Sequence, residues 1–429
     1  MMNLAVVCSF CKVAPKFFLL VAVAAAVGCV SKPGHDDSKR FPSSIGGDLK
    51  TRDGTVFKIP ELRQTLDIPE CVADDSGPIG STHDECIPEG ESDLLDNVTR
   101  TALTFQTAQN PATVKVSQRD FHAKQNACVA AVWTPLSNLP EDLNIGAFAL
   151  SWPVKAVVRL SNGSPKSPAG DDKLQPDVHP EPRGLAIKLV DIPGDSILNI
   201  EDAQAGKTTQ DFVLINFPTF FLHSPKNYPD FLSRITVGKP FFDILDGDER
   251  KALIGATTTV PDVVMQRYFS QVPYKIGKKY AKYQVRPCQE APVDPISDSE
   301  KNNPNFLRKR IQARLGKGPI CLIFSVQIKA PEMIVEDAVA EWRPDSAPFM
   351  DVAKIDIPAN QDITDPVRDS YCENISFNPW NSLPENRPAG AISRARLAVY
   401  SALSRKRRTE NRVQIREPKA TESFFDVLK

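Results

Sequence analysis

Short apolar runs alternate with polar, proline-rich spacers through most of this chain. Val154–Leu160 (VKAVVRL), Gly184–Val190 (GLAIKLV), Phe212–Ile215 (FVLI), Ala281–Arg286, Ile320–Lys329 (ICLIFSVQIK), Ala338–Trp342 and Val352–Ile357 are rich in β-branched and aromatic residues. Several alternate apolar and polar positions with period two, as half-buried antiparallel strands do. Thr113–Val116 is a shorter β-like stretch. Helical patterning appears from Asn97 (NVTRTALTFQTAQ), at Asp248–Gly255, Pro261–Ser270 and Asn305–Leu315, and over a longer stretch from Ala391 to Arg408. That last helix follows Gly390 and a proline-rich approach containing Pro379, Pro384 and Pro388. There is no internal repeat, no GxGxxG and no P-loop. A series of strands followed by helices predicts an α+β barrel with a helical appendix.

The ends of the chain change this picture. Lys12 and Lys16 flank an apolar core, Phe17–Val27, too short to span a bilayer comfortably. Ala26-Val27-Gly28-Cys29 then resembles a lipobox, with Ala26 where Leu is usual. Residues 1–29 are therefore expected to be an export signal, and the protein periplasmic, secreted or held at a membrane as a lipoprotein. An ordinary signal with an incidental Cys and an uncleaved anchor are the alternatives. Residues 30–96 are polar and rich in Asp, Gly, Pro and Ser, a tether and irregular arm.

At 429 residues, 41% apolar and 24% charged, the chain can form one large domain or two ordinary ones. A net charge of -1 gives no footprint for nucleic acid or an acidic membrane surface. With 37 Pro against 21 Gly, much ordered irregular chain is expected. Of the nine Cys, Cys71 and Cys86 bracket a short polar loop and are the expected disulfide pair. Cys128, Cys288 and Cys321 lie in apolar or strand-like contexts that suit buried thiols. No Cys spacing suggests zinc or an iron–sulfur cluster.

Four segments carry candidate chemistry. Arg396 and Tyr400 share a helix face, and a guanidinium beside a phenol favours phenolate, a hard ligand for ferric iron. The alternative is a basic solvent face, since Arg405–Arg408 follow. In Arg119-Asp120-Phe121-His122, the imidazole could exchange a proton with a peroxide or be a hydrogen-bonded structural His. In Val157–Asn162, Arg159 and Ser161 fall on one side of the strand. An Arg pointing into the barrel needs a carboxylate, and Ser161 could orient His122. In Asp211–Phe221, the Asn216 amide could hydrogen-bond a peroxide or simply form a turn. Phe220, Phe221 and Tyr228 suit either a porphyrin wall or core.

Taken in order, RDFHAKQNAC, VVRLSNG, PRGLAIKL, DFVLINFPTFF and RARLAVYSALSRKR resemble the haem-domain motifs of catalases. FNPWNSLPENRPAGAISRARLAVY is similar to the abbreviated, catalase-related peroxidase branch. The resemblance spans residues 97–410 and leaves 411–429 as a tail. It implies an antiparallel eight-stranded β-barrel with surrounding helices and a proximal-ligand helix near the C-terminus. It implies haem b with ferric iron, Tyr400 as the metal ligand and Arg396 as its partner. His122 and Asn216 would be the distal catalytic pair, with Ser161 behind the His. Arg119, Arg159 and Arg407 would bind the propionates, with Phe220, Phe221 and Tyr228 near the porphyrin.

The implied substrates are hydrogen peroxide or an organic peroxide, with an organic electron donor and a homo-oligomer among the family's options. Rearrangement of fatty-acid hydroperoxides is the alternative activity, and a haem-binding lipoprotein with little turnover the non-enzymatic one. The chain departs from the pattern at Gln125–Cys128, where Gly-Ala-Gly is usual. It also departs at Ile215-Asn216-Phe217-Pro218, where Asn-Asn-Thr-Pro is usual, and at Ser404, where His is usual. These weigh against high-turnover dismutation more than against haem binding.

Overall fold

The computed structural model describes residues 49–50, 56–57, 68–71, 84–110, 116–163, 175–198 and 207–428. The export signal, Cys29 and most of the expected tether and of Thr113–Val116 lie outside the described residues.

Nine strands form the main sheet: β1 (Gln125–Pro135), β2 (Val154–Asn162), β3 (Arg183–Pro193), β4 (Lys207–Ile215), β5 (Tyr268–Phe269), β6 (Tyr274–Ile276), β7 (Lys279–Pro287), β8 (Ile320–Ile328) and β9 (Phe349–Ile357). Neighbours run antiparallel in the order β8-β9-β1-β2-β3-β4-β5-β7, and β7 pairs back onto β8. This closes an eight-stranded barrel, with β6 appended to β7. Period-two alternation sends one face of each strand inward. Trp133, Phe212, Tyr283 and Phe324 meet there with Phe148 at ring separations of 4.7–6.2 Å. The interior is thus a packed aromatic core, with no room for a cofactor.

The longer helices are α1 (Glu91–Gln109), α2 (Tyr228–Thr236), α3 (Gly247–Ala256), α4 (Phe306–Lys317), α5 (Pro366–Asn374) and α6 (Ala391–Glu410). Apolar faces of α1, α2 and α6 meet through Val98, Ala102, Phe105, Phe231, Leu232, Val399 and Leu403, forming a helical layer with its own core. α5 and the C-terminal segment carrying Phe424 and Phe425 cover the outside of β1.

The structure corrects several expectations. Gln125–Pro135 is a strand that the apolar pattern did not single out. Pro261–Ser270 is not helical and contains β5, and Ala338–Trp342 is irregular, although buried at Ala338 and Trp342. α2 and α5 were not anticipated. Cys128, Cys288 and Cys321 are not free thiols: Cys128 bonds Cys372 and Cys288 bonds Cys321, beside the expected Cys71–Cys86 bridge.

Candidate functional site

A cavity of about 710 Å³ separates the outer face of the first barrel strands from the helical layer. Its strand wall includes His122, Arg159, Ser161, Gly184, Ala186 and Val213. Its helical wall includes Leu103, Gln106, Ala398, Tyr400 and Arg407. A volume of this size lies in the ordinary range for a small-molecule or cofactor site.

His122 precedes β1 in a left-handed conformation, φ 56°, which a residue with a Cβ seldom adopts. Its backbone N–H donates to Gly163 O at 3.0 Å, and its Nδ1 lies 3.3 Å from Ser161 Oγ. Burial, then the positive charges of Arg159, Arg396 and Arg183, lower its pKa to about 3, so the imidazole is neutral near pH 7. Gly184 on β3 makes this arrangement sterically possible. A Cβ there would fall 2.4 Å from His122 Nδ1 and 2.8 Å from Ser161 Oγ. Sequence reasoning passed over Gly184, yet a Gly inside a strand marks a close approach.

Arg159 and Ser161 share the outer face of β2, as their spacing predicts. Arg159 therefore points away from the barrel interior and toward the cavity, correcting the inward orientation expected for it. Its carboxylate partner is Glu373 on α5, at 3.2 Å. Arg159 also donates to His122 O at 2.9 Å and to Gln125 Oε1 at 3.1 Å. Arg119 donates to Cys372 O at 2.6 Å and Ile375 O at 2.7 Å, with Nε 3.8 Å from Glu373. Arg407 donates to Glu373 O, and to Ile375 O at 3.4 Å. Burial lowers the pKa of all three, and for Arg119 and Arg407 neighbouring guanidinium groups lower it further. Burial alone would raise the Glu373 carboxyl, but Arg119, Arg159 and Arg407 outweigh it and hold it below its ordinary value. Glu373 and Gln125 were not anticipated as members of the site; only the surplus of buried arginine hinted at a missing acid.

Tyr400 lies on the α6 side of the cavity, one turn after Arg396. Arg396 does not line the cavity. It sits over the Phe220 ring at 5.4 Å and donates to Gln271 Oε1 at 3.4 Å. Its Nη1 is buried with no hydrogen-bond partner among the described residues. Phe220, Phe221 and Tyr228 do not line the cavity either. Phe220 packs against the barrel core, and Phe221 and Tyr228 join the cluster that packs Tyr400. Phe121 and Phe377 are the rings that face the space.

Asn216 departs furthest from expectation. It ends just beyond β4, where its Oδ1 accepts from Arg183 N at 2.7 Å and its Nδ2 donates to Thr258 Oγ1 at 3.2 Å. Its amide bridges the start of β3 and the segment after α3, and it is not among the cavity-lining residues.

The arrangement can hold a flat dicarboxylate macrocycle with a ferric centre. It offers a phenol on one wall, a neutral imidazole on the other, and three guanidinium groups, two paired with the Glu373 carboxylate and the third with its backbone carbonyl. Those residues fit haem b in donor chemistry, in space and in charge.

Comparison with solved structures agrees with this architecture. The fold is similar to a fungal catalase, with a TM-score of 0.54 at 18% identity over 86% of this chain and 70% of that one. It is similar to catalase A from Saccharomyces cerevisiae, with a TM-score of 0.53 at 18% identity over 83% and 71%. A bacterial catalase gives a TM-score of 0.51 at 16% identity over 90% and 68%. The fold is therefore catalase-like. Among curated proteins, linolenate 9R-lipoxygenase of Nostoc sp. is 25% identical over 226 residues, 47% of this chain. The chain spans only 27% of that protein's length. No family model matches the chain.

Proposed function

We propose that this chain is a haem b-dependent oxidoreductase acting on peroxides. The observation that carries the reading is the meeting of Tyr400, His122 and the Arg119–Arg159–Arg407 group around one cavity, from sequence positions far apart. Tyr400 Oη would hold the iron, and the three arginines the propionates. Ferric haem, when bound, supplies the redox chemistry of O–O cleavage. The chain's own part is proton transfer. With Nδ1–H given to Ser161 Oγ, His122 keeps a lone pair at Nε2, which takes the proton of an incoming hydroperoxide and returns it to the departing oxygen. Neutrality of the imidazole at working pH is what makes it a base. Ala186, Val213 and Leu397 make part of the surrounding wall apolar.

One observation favours a second reading. With its amide bonded to Arg183 and Thr258, Asn216 does not support His122, and most of the lining surface is apolar. A bulky apolar hydroperoxide would suit such a site better than hydrogen peroxide. The Nostoc relative is named for oxidation of linolenate, which supports fatty-acid hydroperoxides as substrates here. Export, to the periplasm, the medium or a lipoprotein anchor, belongs to the same proposal, supported by the signal-like first 29 residues and by disulfide pairing of all six described cysteines.

The test is an absorption spectrum of the purified protein, followed by addition of hydrogen peroxide and, separately, linolenate hydroperoxide. A ferric phenolate-type haem spectrum with consumption of either peroxide is expected; consumption of the second alone selects the second reading. Tyr400→Phe should lose most of the haem or shift the spectrum, and an unchanged spectrum would remove Tyr400 from the site.

A further inference from the structure

Glu373 occupies an unusual place. It is the last residue but one of α5, and α5 is bonded to β1 through Cys128–Cys372, the residue directly before it. Arg308 reinforces the attachment by pairing with Asp369 at 2.7 Å one turn earlier. The carboxylate is thereby delivered into the guanidinium group that would take a ligand's carboxylates. It lies 3.2 Å from Arg159 and 3.8 Å from Arg119, and its own backbone carbonyl accepts from Arg407. About a third of the Glu373 side chain remains accessible, 32%, whereas the Arg159 side chain is 4% exposed.

We propose that Glu373, which does not itself line the cavity but pairs with the arginines that do, is an internal counter-anion, standing in for a carboxylate before any ligand arrives and competing with the one that enters. The proposal rests on the haem reading above and adds a residue that sets how strongly the site discriminates between anionic and neutral ligands. Three buried guanidinium groups without a counter-charge would repel one another and destabilise the empty protein. One carboxylate among them stabilises that state and still leaves the site net positive. A ligand bearing two carboxylates completes the neutralisation. A ligand bearing none gains nothing from the arginines.

The opposing effects of removing this charge make the test decisive. The apoprotein and Glu373→Gln are compared in thermal melting and in titration with metal-free protoporphyrin IX and with its dimethyl ester, both read by fluorescence. The variant should melt lower. It should also bind the diacid more tightly by about tenfold, since a competing charge a few ångström away is removed. Ester binding should change by less than about twofold, because no anion is involved. Glu373→Asp keeps the charge but draws it back, and should fall between the two proteins in both readings, which covers the case in which the Gln variant does not fold. A merely structural role would lower melting and weaken both porphyrins together, and that result overturns the proposal. Equal diacid binding by parent and variants overturns it as well, leaving the haem reading standing. Failure of every protein to bind the diacid sinks both.

Discussion

His122 carries a conformational cost of order 1–3 kcal/mol for its positive φ, retained because the surrounding strands determine it. Gly163 O fixes its backbone, Ser161 its ring and Gly184 the space it turns through. Loss of the imidazole should therefore be separable from loss of the fold. We expect His122→Ala to retain haem and lose about a hundredfold or more in peroxide turnover. Asn216→Ala should leave turnover within a few-fold and cost about 1 kcal/mol in urea unfolding, through the lost hydrogen bonds to Arg183 and Thr258. A large turnover loss in the Asn216 variant would show that its amide reaches the substrate. Gly184→Ala should displace the imidazole, with turnover reduced at least tenfold while circular dichroism stays unchanged. Much of this residue-level arrangement was readable from motif words alone. Period-two spacing put Arg159 beside Ser161, and the helical turn put Arg396 before Tyr400. The destination of the Asn216 amide was not readable, because nothing local says whether an Asn after a strand faces a cavity or closes a turn.

Among the elements, α6 is held most firmly at its beginning. Arg394 is fully buried and bonds Glu91 at 2.7 Å and Glu336 at 2.9 Å, with Glu85 at 3.3 Å. Arg387 pairs with Glu85 at 2.8 Å. The cluster ties the arm before α1 and the loop after β8 to the helix that presents Tyr400. Arg394→Met would leave Glu85 to Arg387 and strand two buried carboxylates, Glu91 and Glu336, and we expect a loss of about 3–5 kcal/mol in denaturant unfolding. A loss below 1 kcal/mol would mean that water reaches the cluster. The sequence concealed this group because each member looks like an ordinary surface charge until the fold assembles them. β1 was concealed differently. Ala127, Ala130 and Ala131 are poor strand formers, and both faces are covered, so CVAAVW shows no alternation. Ala338–Trp342 misled in the other direction. Its burial gives it a strand's composition, but Asp337 Oδ1 accepts from Val339 N and Ala340 N and turns the chain.

At the scale of the whole molecule, Cys128–Cys372 joins positions 244 residues apart and so ties the first barrel strand to the segment before α6. Replacing both cysteines with Ser should cost about 2–4 kcal/mol, mainly by enlarging the unfolded ensemble, and should bring the unfolding midpoints measured with and without reductant closer together. An unchanged midpoint would show that the non-covalent clamp of Arg308 on Asp369 suffices. The barrel class was legible from alternation and turn spacing. Its closed eight-stranded form was implied by the motif resemblance, whereas β5 and β6, of two and three residues, are too short to show a period. That closure has a consequence for how copies of the protein can meet. The strand order runs out at three-residue β6, where Tyr274 already bridges to Pro388. Among the described residues β6 offers no long row of open amides and carbonyls to a neighbour, which makes it a poor template for extension into a fibre. An assembly of subunits built from side chains on the helices and loops would be one that a charge reversal dissolves without disturbing a single strand.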